Sequence, residues 1–360
     1  MEKKILIVDD SALMRRVLCD IIDNDSRFHV VAKATNGVEA LDLLSRNQYD
    51  AVVLDVNMPK MNGLELLKEL RKFKIPARVL MASTDTKEGA KTTLDALELG
   101  ALDFIHKPDN AADLRLDNFS QELLRLLDIV ANSRAPHFAS HAQIEKADKT
   151  NKSMLDLLKK KPVRIPGHKI VAIASSTGGP KALQSVIPRL PGTLDAPVVL
   201  VQHMPAGFTA SLAERLNGMG DINVKEAAEG DVLERGWVYI AKAGQHMNIV
   251  KDSKGMPSVH YSNEPKREGV IPCANYMYES LANLSYDNIV CVVMTGMGAD
   301  GTEGIQNLKK KKKIYCIAQN QDTCTVYGMP KSVTKAGLSD LEVPLEQIAQ
   351  EITLHIGVTH

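Results

Sequence analysis

Short, unalternating apolar runs, each followed by a helix-like stretch, recur along this chain in two series separated by a polar break. In the first series the runs are Ile5-Leu6-Ile7-Val8, Val30-Val31-Ala32, Ala51-Val52-Val53-Leu54, Val79-Leu80-Met81-Ala82 and Leu102-Asp103-Phe104-Ile105. A strand that is apolar at successive positions has no solvent face, so such runs require a parallel sheet covered by helices on both sides. Residues 1–128 are therefore expected to form a doubly wound (βα)5 domain. The rhythm restarts with Ile170-Val171-Ala172-Ile173-Ala174, Pro197-Val198-Val199-Leu200-Val201, the run from Asn288 to Met294, and Lys313-Ile314-Tyr315-Cys316-Ile317. Gly236-Trp237-Val238-Tyr239-Ile240 and His246-Met247-Asn248-Ile249-Val250 read as hairpin strands. Residues 168–360 are thus expected to form a larger α/β domain with a mostly parallel sheet and an antiparallel edge. Between the two, residues 129–167 are rich in His, Ser, Asn, Lys and Pro and read as a linker. Met154, Leu155, Leu157 and Leu158 allow one short helix within it.

Charge narrows the function. Lys+Arg 44 balances Asp+Glu 44, so no whole-chain footprint for nucleic acid or anionic membrane exists. The basic run from Lys309 to Lys313 follows a helical stretch, where cations complement the C-terminal dipole. No run approaches the ~18 apolar residues that cross a bilayer, and four apolar residues before Asp9 are too few for a signal-peptide core. The five cysteines are odd in number and contain no CxxC pair. Reduced thiols in a cytoplasmic, monomeric protein are the expectation.

In the first domain Asp9 and Asp10 close the first strand and Asp55 the third, so their carboxylates converge in the crevice at the carboxyl edge of the sheet. Three carboxylates at one point repel one another and suit a hard cation such as Mg²⁺. Ser83 adds a hydroxyl and Lys107 a cation, which fits a carboxylate that accepts a phosphoryl group. Val8-Asp9-Asp10-Ser11, the stretch from Val53 to Pro59, Asn62-Gly63, Leu80-Met81-Ala82-Ser83 and Lys107-Pro108 resemble the receiver domain of two-component response regulators. That resemblance implies Asp55 as phospho-acceptor, Asp9, Asp10 and Asp55 as Mg²⁺ ligands, and Ser83 and Lys107 as residues that sense the phosphoryl group. Asn57 departs from the family, which often carries an acid two residues past the acceptor.

The second domain is too large, and not basic enough, for a DNA-binding output module. Three strand ends carry chemistry instead. Ser175-Ser176-Thr177-Gly178-Gly179-Pro180 follows the first strand, Gln202-His203-Met204-Pro205 the second, and Thr295-Gly296-Met297-Gly298-Ala299-Asp300-Gly301 a later one. Convergence at one edge would let His203 take a seryl proton, Asp300 orient the imidazole, and backbone amides hold an oxyanion. A rival reading exists: Gly296, Gly298 and Gly301 match the dinucleotide fingerprint, with Asp322 about twenty residues beyond, which points to an NAD-binding oxidoreductase domain.

The strings around Ser176, His203 and Asp300, behind a receiver and a linker, resemble the CheB family of chemotaxis protein-glutamate methylesterases. The resemblance implies Ser176 as nucleophile, His203 as general acid–base, Asp300 as its orienter, and Thr177 and Met297 as oxyanion donors through their N–H groups. Ser175 leaves a choice between adjacent serines, which alignment of Ser-Thr-Gly-Gly settles for Ser176. Also implied are hydrolysis of glutamate γ-methyl esters on methyl-accepting chemoreceptors, deamidation of receptor glutamines, and a histidine kinase as phosphodonor. No metal is implied for the ester step. The unphosphorylated receiver is expected to limit access to Ser176.

Overall fold

The computed structural model describes residues 2–83, 87–107, 117–133 and 166–359. The chain divides into two compact units at Ala139 and Ser140. The helix expected around Met154 lies outside the described residues.

The first unit alternates β1 (Lys3–Val8), α1 (Ala12–Asp23), β2 (Phe28–Ala34), α2 (Gly37–Arg46), β3 (Ala51–Asp55), α3 (Gly63–Lys72), β4 (Val79–Ser83), α4 (Lys87–Leu99), β5 (Asp103–His106) and α5 (Asp117–Asn132). Its strands lie in the order β2-β1-β3-β4-β5 and every pairing is parallel. Both β3 and β4 are buried at every position, as their unalternating sequences require. Side-chain caps start the helices: Ser11 accepts from the Met14 N–H, and Asn62 and Glu65 close a capping box on α3. Asp9 just beyond β1, Asp55 ending β3, Ser83 ending β4 and Lys107 just beyond β5 share the carboxyl edge of the sheet.

The second unit contains β6 (Lys169–Ser175), α6 (Gly179–Val186), β7 (Val198–Gln202), α7 (Phe208–Asn217), β8 (Asn223–Glu226), β9 (Trp237–Ile240), β10 (His246–Lys251), β11 (Pro257–Ser262), α8 (Ala274–Ser280), β12 (Asn288–Val293), α9 (Thr302–Lys309), β13 (Ile314–Gln319), α10 (Met329–Lys335), β14 (Leu341–Val343) and α11 (Leu345–Ile356). Seven of these strands form one sheet in the order β14-β13-β12-β6-β7-β9-β8. All six pairings are parallel. The chain builds outward from β6 to one side and then resumes at β12 on the other, which places a topological switch point at β6.

The predicted hairpin strands pair differently from the sequence reading. The strand at Trp237 joins the main sheet in parallel with β7 and β8. His246–Lys251 instead pairs antiparallel with Pro257–Ser262 in a separate two-stranded sheet. Nothing local revealed that the partner of His246–Lys251 lay beyond it, at Pro257–Ser262. The basic run closes α9, with Lys309 against Asp340 and the Lys312 ammonium donating to the Leu284 carbonyl. Among the described residues, no helix is long and apolar enough to cross a membrane.

Helices α8 and α9 approach so closely that a Cβ on Gly304 would lie 2.6 Å from the Asn275 Cα. Gly304→Ala should therefore separate the two helices and destabilise this unit by roughly 1–3 kcal/mol. Thermal unfolding of the variant checks this, and an unchanged midpoint would argue against the close approach.

Candidate active site

Strands β12, β6 and β7 are neighbours, so the loops at their carboxyl ends meet. Ser175 pairs in register with Gln202, and Val293 with Ala174. Ser176 is thereby set beside the loop that follows β7 and the loop that follows β12.

The Ser176 turn is held from both sides. Its N–H donates to the Thr295 carbonyl at 3.0 Å. Its carbonyl accepts from Gln202 Nε2 at 2.9 Å, and the same nitrogen donates to the His203 carbonyl at 2.8 Å. One amide side chain thus ties the serine and histidine backbones together. Gln202 Oε1 accepts the Ser175 hydroxyl at 2.7 Å, and Ser175 is fully buried. The Ser175 hydroxyl is committed to structure, which leaves Ser176 as the serine of this turn not engaged in that way. A Cβ on Gly296 would sit 2.7 Å from the Ser176 Cβ and 2.5 Å from Met329 Sδ, so only glycine lets the two loops touch. Helix α6 starts behind Gly178 with no side-chain cap. Among the described residues the Thr177 N–H has no protein acceptor, as an oxyanion donor requires. Thr177 is buried, whereas Met297 is two-fifths exposed.

His203 Nε2 and Asp300 Oδ2 are 2.8 Å apart. Asp300 is buried and gathers further donors: the N–H groups of Ala274 (2.7 Å), Asn275 (3.0 Å) and Gly301 (2.8 Å), and the Cys273 thiol (3.0 Å). Burial opposes its ionisation, but the hydrogen bond and charge of His203, the thiol and the Ala274 N–H outweigh it and hold the carboxyl below its ordinary value. Cys273 responds in the opposite sense. Burial, and then the adjacent carboxylate, push its thiol up to about 12, so it stays a protonated donor. The first fingerprint glycine, Gly296, is spent on this arrangement. Ser176 and Met329 fill the space beside Gly296 that a pyrophosphate would need, and Asp300 inside the fingerprint serves the imidazole.

The receiver-type cluster also assembles. Carboxylate oxygens of Asp9, Asp10 and Asp55 lie within 4.8 Å of one another, with Asp10 exposed and the other two buried. The Lys107 ammonium lies 2.7 Å from both Asp9 Oδ2 and Asp55 Oδ1. The Val56 N–H also donates to Asp55 Oδ1, so Oδ2 is the oxygen turned away from these two donors. Ser83 is buried at the end of β4, where its carbonyl accepts the Lys107 N–H. Asn57 is exposed.

Comparison with known proteins agrees with this geometry. The family model described as CheB methylesterase matches residues 171–352, and that of the response regulator receiver domain matches residues 5–117. The chain belongs to the CheB methylesterase family. The protein-glutamate methylesterase/protein-glutamine glutaminase of Bacillus subtilis (strain 168) is 40% identical over 352 residues, 97% of each chain. That of Pyrococcus horikoshii is 40% identical over 365 residues, 99% of this chain and 94% of the relative. The crystal structure of the Thermotoga maritima CheB methylesterase catalytic domain is 39% identical, with a TM-score of 0.50, covering 51% of this chain and 97% of that one. The dinucleotide-binding reading finds no support among these relatives and is withdrawn.

Sequence reasoning missed Gln202, Thr295, Cys273 and Asn275. Gln202 and Thr295 sit inside the motifs and could have been singled out as polar residues at, or just past, the ends of buried strands. Cys273 and Asn275 lie well before Asp300 in the chain and carry no motif.

The buried Asp55 carboxyl is raised above its ordinary value: burial dominates, Lys107 opposes it and Asp9 reinforces it. The stability its protonated form contributes is fully present below the unfolded carboxylate value and is lost as pH rises through the higher folded value. At neutral pH the charge is then a burden on the fold. Asp55→Asn should raise the thermal midpoint of the receiver unit in chelator-treated buffer, and a lower midpoint would contradict the assignment of cause.

Proposed function

We propose that this protein hydrolyses glutamate γ-methyl esters on methyl-accepting chemoreceptors, releasing methanol, and deamidates receptor glutamines at the same site. A receiver unit controls that activity by phosphorylation. In this reading residues 1–128 act as the receiver, 168–360 as the catalytic domain, and 129–167 join them. The observation that carries the reading is the pairing of buried Asp300 with His203 beside the Ser176 turn at one sheet edge.

Because His203 Nε2 is committed to Asp300, Nδ1 is the nitrogen left to accept the Ser176 proton. The Ser176 Oγ attacks the ester carbonyl carbon as that proton passes to the imidazole. The Thr177 and Met297 N–H groups receive the oxyanion, a contribution commonly worth ~10²–10³ in rate for one donor. Collapse of the tetrahedral species expels methanol, protonated by His203, and leaves an acyl-serine. Water, deprotonated by the same imidazole, releases the glutamate. Asp300 stabilises the imidazolium in both steps without taking the proton. For deamidation the leaving group is ammonia instead of methanol.

In the receiver unit the oxygen-only donor set of Asp9, Asp10 and Asp55 fits Mg²⁺, which when bound would neutralise charge on a phosphoryl group. Asp55 would accept that group from a histidine kinase, with Lys107 and Ser83 as its sensors.

Methanol release from methylated chemoreceptor membranes tests the reading. Wild-type protein should release methanol, faster with acetyl phosphate and Mg²⁺. Ser176→Ala should lower the rate by at least about 10⁴-fold. Asp55→Asn should retain the basal rate and lose the stimulation. No release by wild type under any condition would overturn the assignment.

A further inference from the structure

We propose that Asn275 and Cys273, at the start of α8, are positioning residues of the esterase site, locking the turn that carries Asp300 so that its carboxylate meets His203. This inference rests on the reading of Ser176, His203 and Asp300 given above.

The lock is reciprocal. From α8 to the turn before α9, Asp300 Oδ1 takes the Asn275 N–H at 3.0 Å and the Cys273 thiol at 3.0 Å, while Oδ2 takes the Ala274 N–H at 2.7 Å. In the other direction, the Asn275 Oδ1 accepts the Gly301 N–H at 3.1 Å and the Gly304 N–H at 2.6 Å. Helix α9 begins behind Gly301, which has no side chain to cap it. The amides of a first helical turn need acceptors, and Asn275 supplies one from a different helix. Asn275 is fully buried, so no water competes for the same role. Cys273 is fixed in turn, because its N–H donates to His246 Nδ1 at 3.1 Å and His246 is itself buried.

The geometry leaves Asp300 little freedom. Four protein donors besides the imidazole surround it, three of them from residues 273–275. The carboxylate therefore cannot rotate without stranding several buried N–H groups. Removing the Asn275 acceptor strands the Gly304 amide, leaves the Gly301 N–H on Asp300 alone and lets the turn drift, and a displacement of about 1 Å at a catalytic group can cost ~10² in rate. Removing the thiol withdraws one donor and disturbs no backbone partner, so a smaller loss follows.

A double-mutant cycle separates positioning from general structural support. Methanol release is measured at varied receptor concentration for wild type, Asn275→Ala, Cys273→Ala, Asp300→Ala and the two double variants with Asp300→Ala. Asn275→Ala should lower kcat by roughly 10–100-fold with KM changed by less than about twofold. Cys273→Ala should lower kcat several-fold, and Cys273→Ser, which keeps a donor, should restore most of it. With Asp300 already removed, neither change should matter by more than about twofold, because the group they position is gone. Full losses that persist without Asp300, or a wild-type kcat in both single variants, would overturn the proposal. Thermal unfolding accompanies the assays; if Asn275→Ala fails to fold, the Cys273→Ala and Cys273→Ser pair decides. Ser176→Ala keeps the two ideas apart. Methanol release that survives in Ser176→Ala sinks the esterase reading, whereas release lost there but normal in Asn275→Ala and Cys273→Ala sinks only this inference.

Discussion

Asp300 carries charge in an interior where an uncompensated carboxylate costs several kcal/mol, and the surrounding fold is arranged to supply what that charge needs. Three donors come from the start of α8, one from the Gly301 N–H and one from the His203 ring. With so many donors aimed at it, the carboxyl stays ionised despite its burial. It remains acceptor-only and faces His203 through one defined oxygen. In the proposed mechanism the histidine's other nitrogen serves the serine. The tautomer that the proposed mechanism needs follows from the placement of α8, a helix that contributes none of the three central residues.

The parallel sheet makes this convergence possible. β6 is the switch strand, and the loops after it and its two neighbours meet at one edge of the sheet. Gln202 then fixes the spacing by bonding to both the Ser176 and His203 carbonyls. The receiver unit uses the same geometric logic for a different end: strand termini bring Asp9, Asp55 and Lys107 together, with Lys107 bridging the two acids. In one unit the focused charge meets an imidazole; in the other a lysine ammonium bridges two carboxylates.

Most of this layout was legible because the fold class and the central residues live in local strings. Unalternating apolar runs dictated parallel strands, and the polar residues at their ends marked where chemistry could sit. The pairing of Trp237–Ile240 with β7 was not legible, because a four-residue strand looks the same in a hairpin and in a parallel sheet; only the tertiary partner decides. Cys273 and Asn275 were invisible for a related reason. Their importance comes from the position of α8 against α9, which no spacing rule encodes. The fingerprint at Gly296, Gly298 and Gly301 misled in an instructive way: Gly296 is needed for close approach, but the approaching group is the Ser176 turn, not a pyrophosphate, and Gly298 and Gly301 serve as positive-φ positions of the same loop.

The central claim is that Ser176, and not its neighbour, is the activated nucleophile. It is tested most directly by treating the native protein with a fluorophosphonate, which phosphonylates activated serines, and locating the adduct by peptide mass spectrometry. The account predicts a single adduct on Ser176 that forms far more slowly in His203→Ala. An adduct on Ser175 or Cys273, or equal labelling of Ser176 without the histidine, would contradict it.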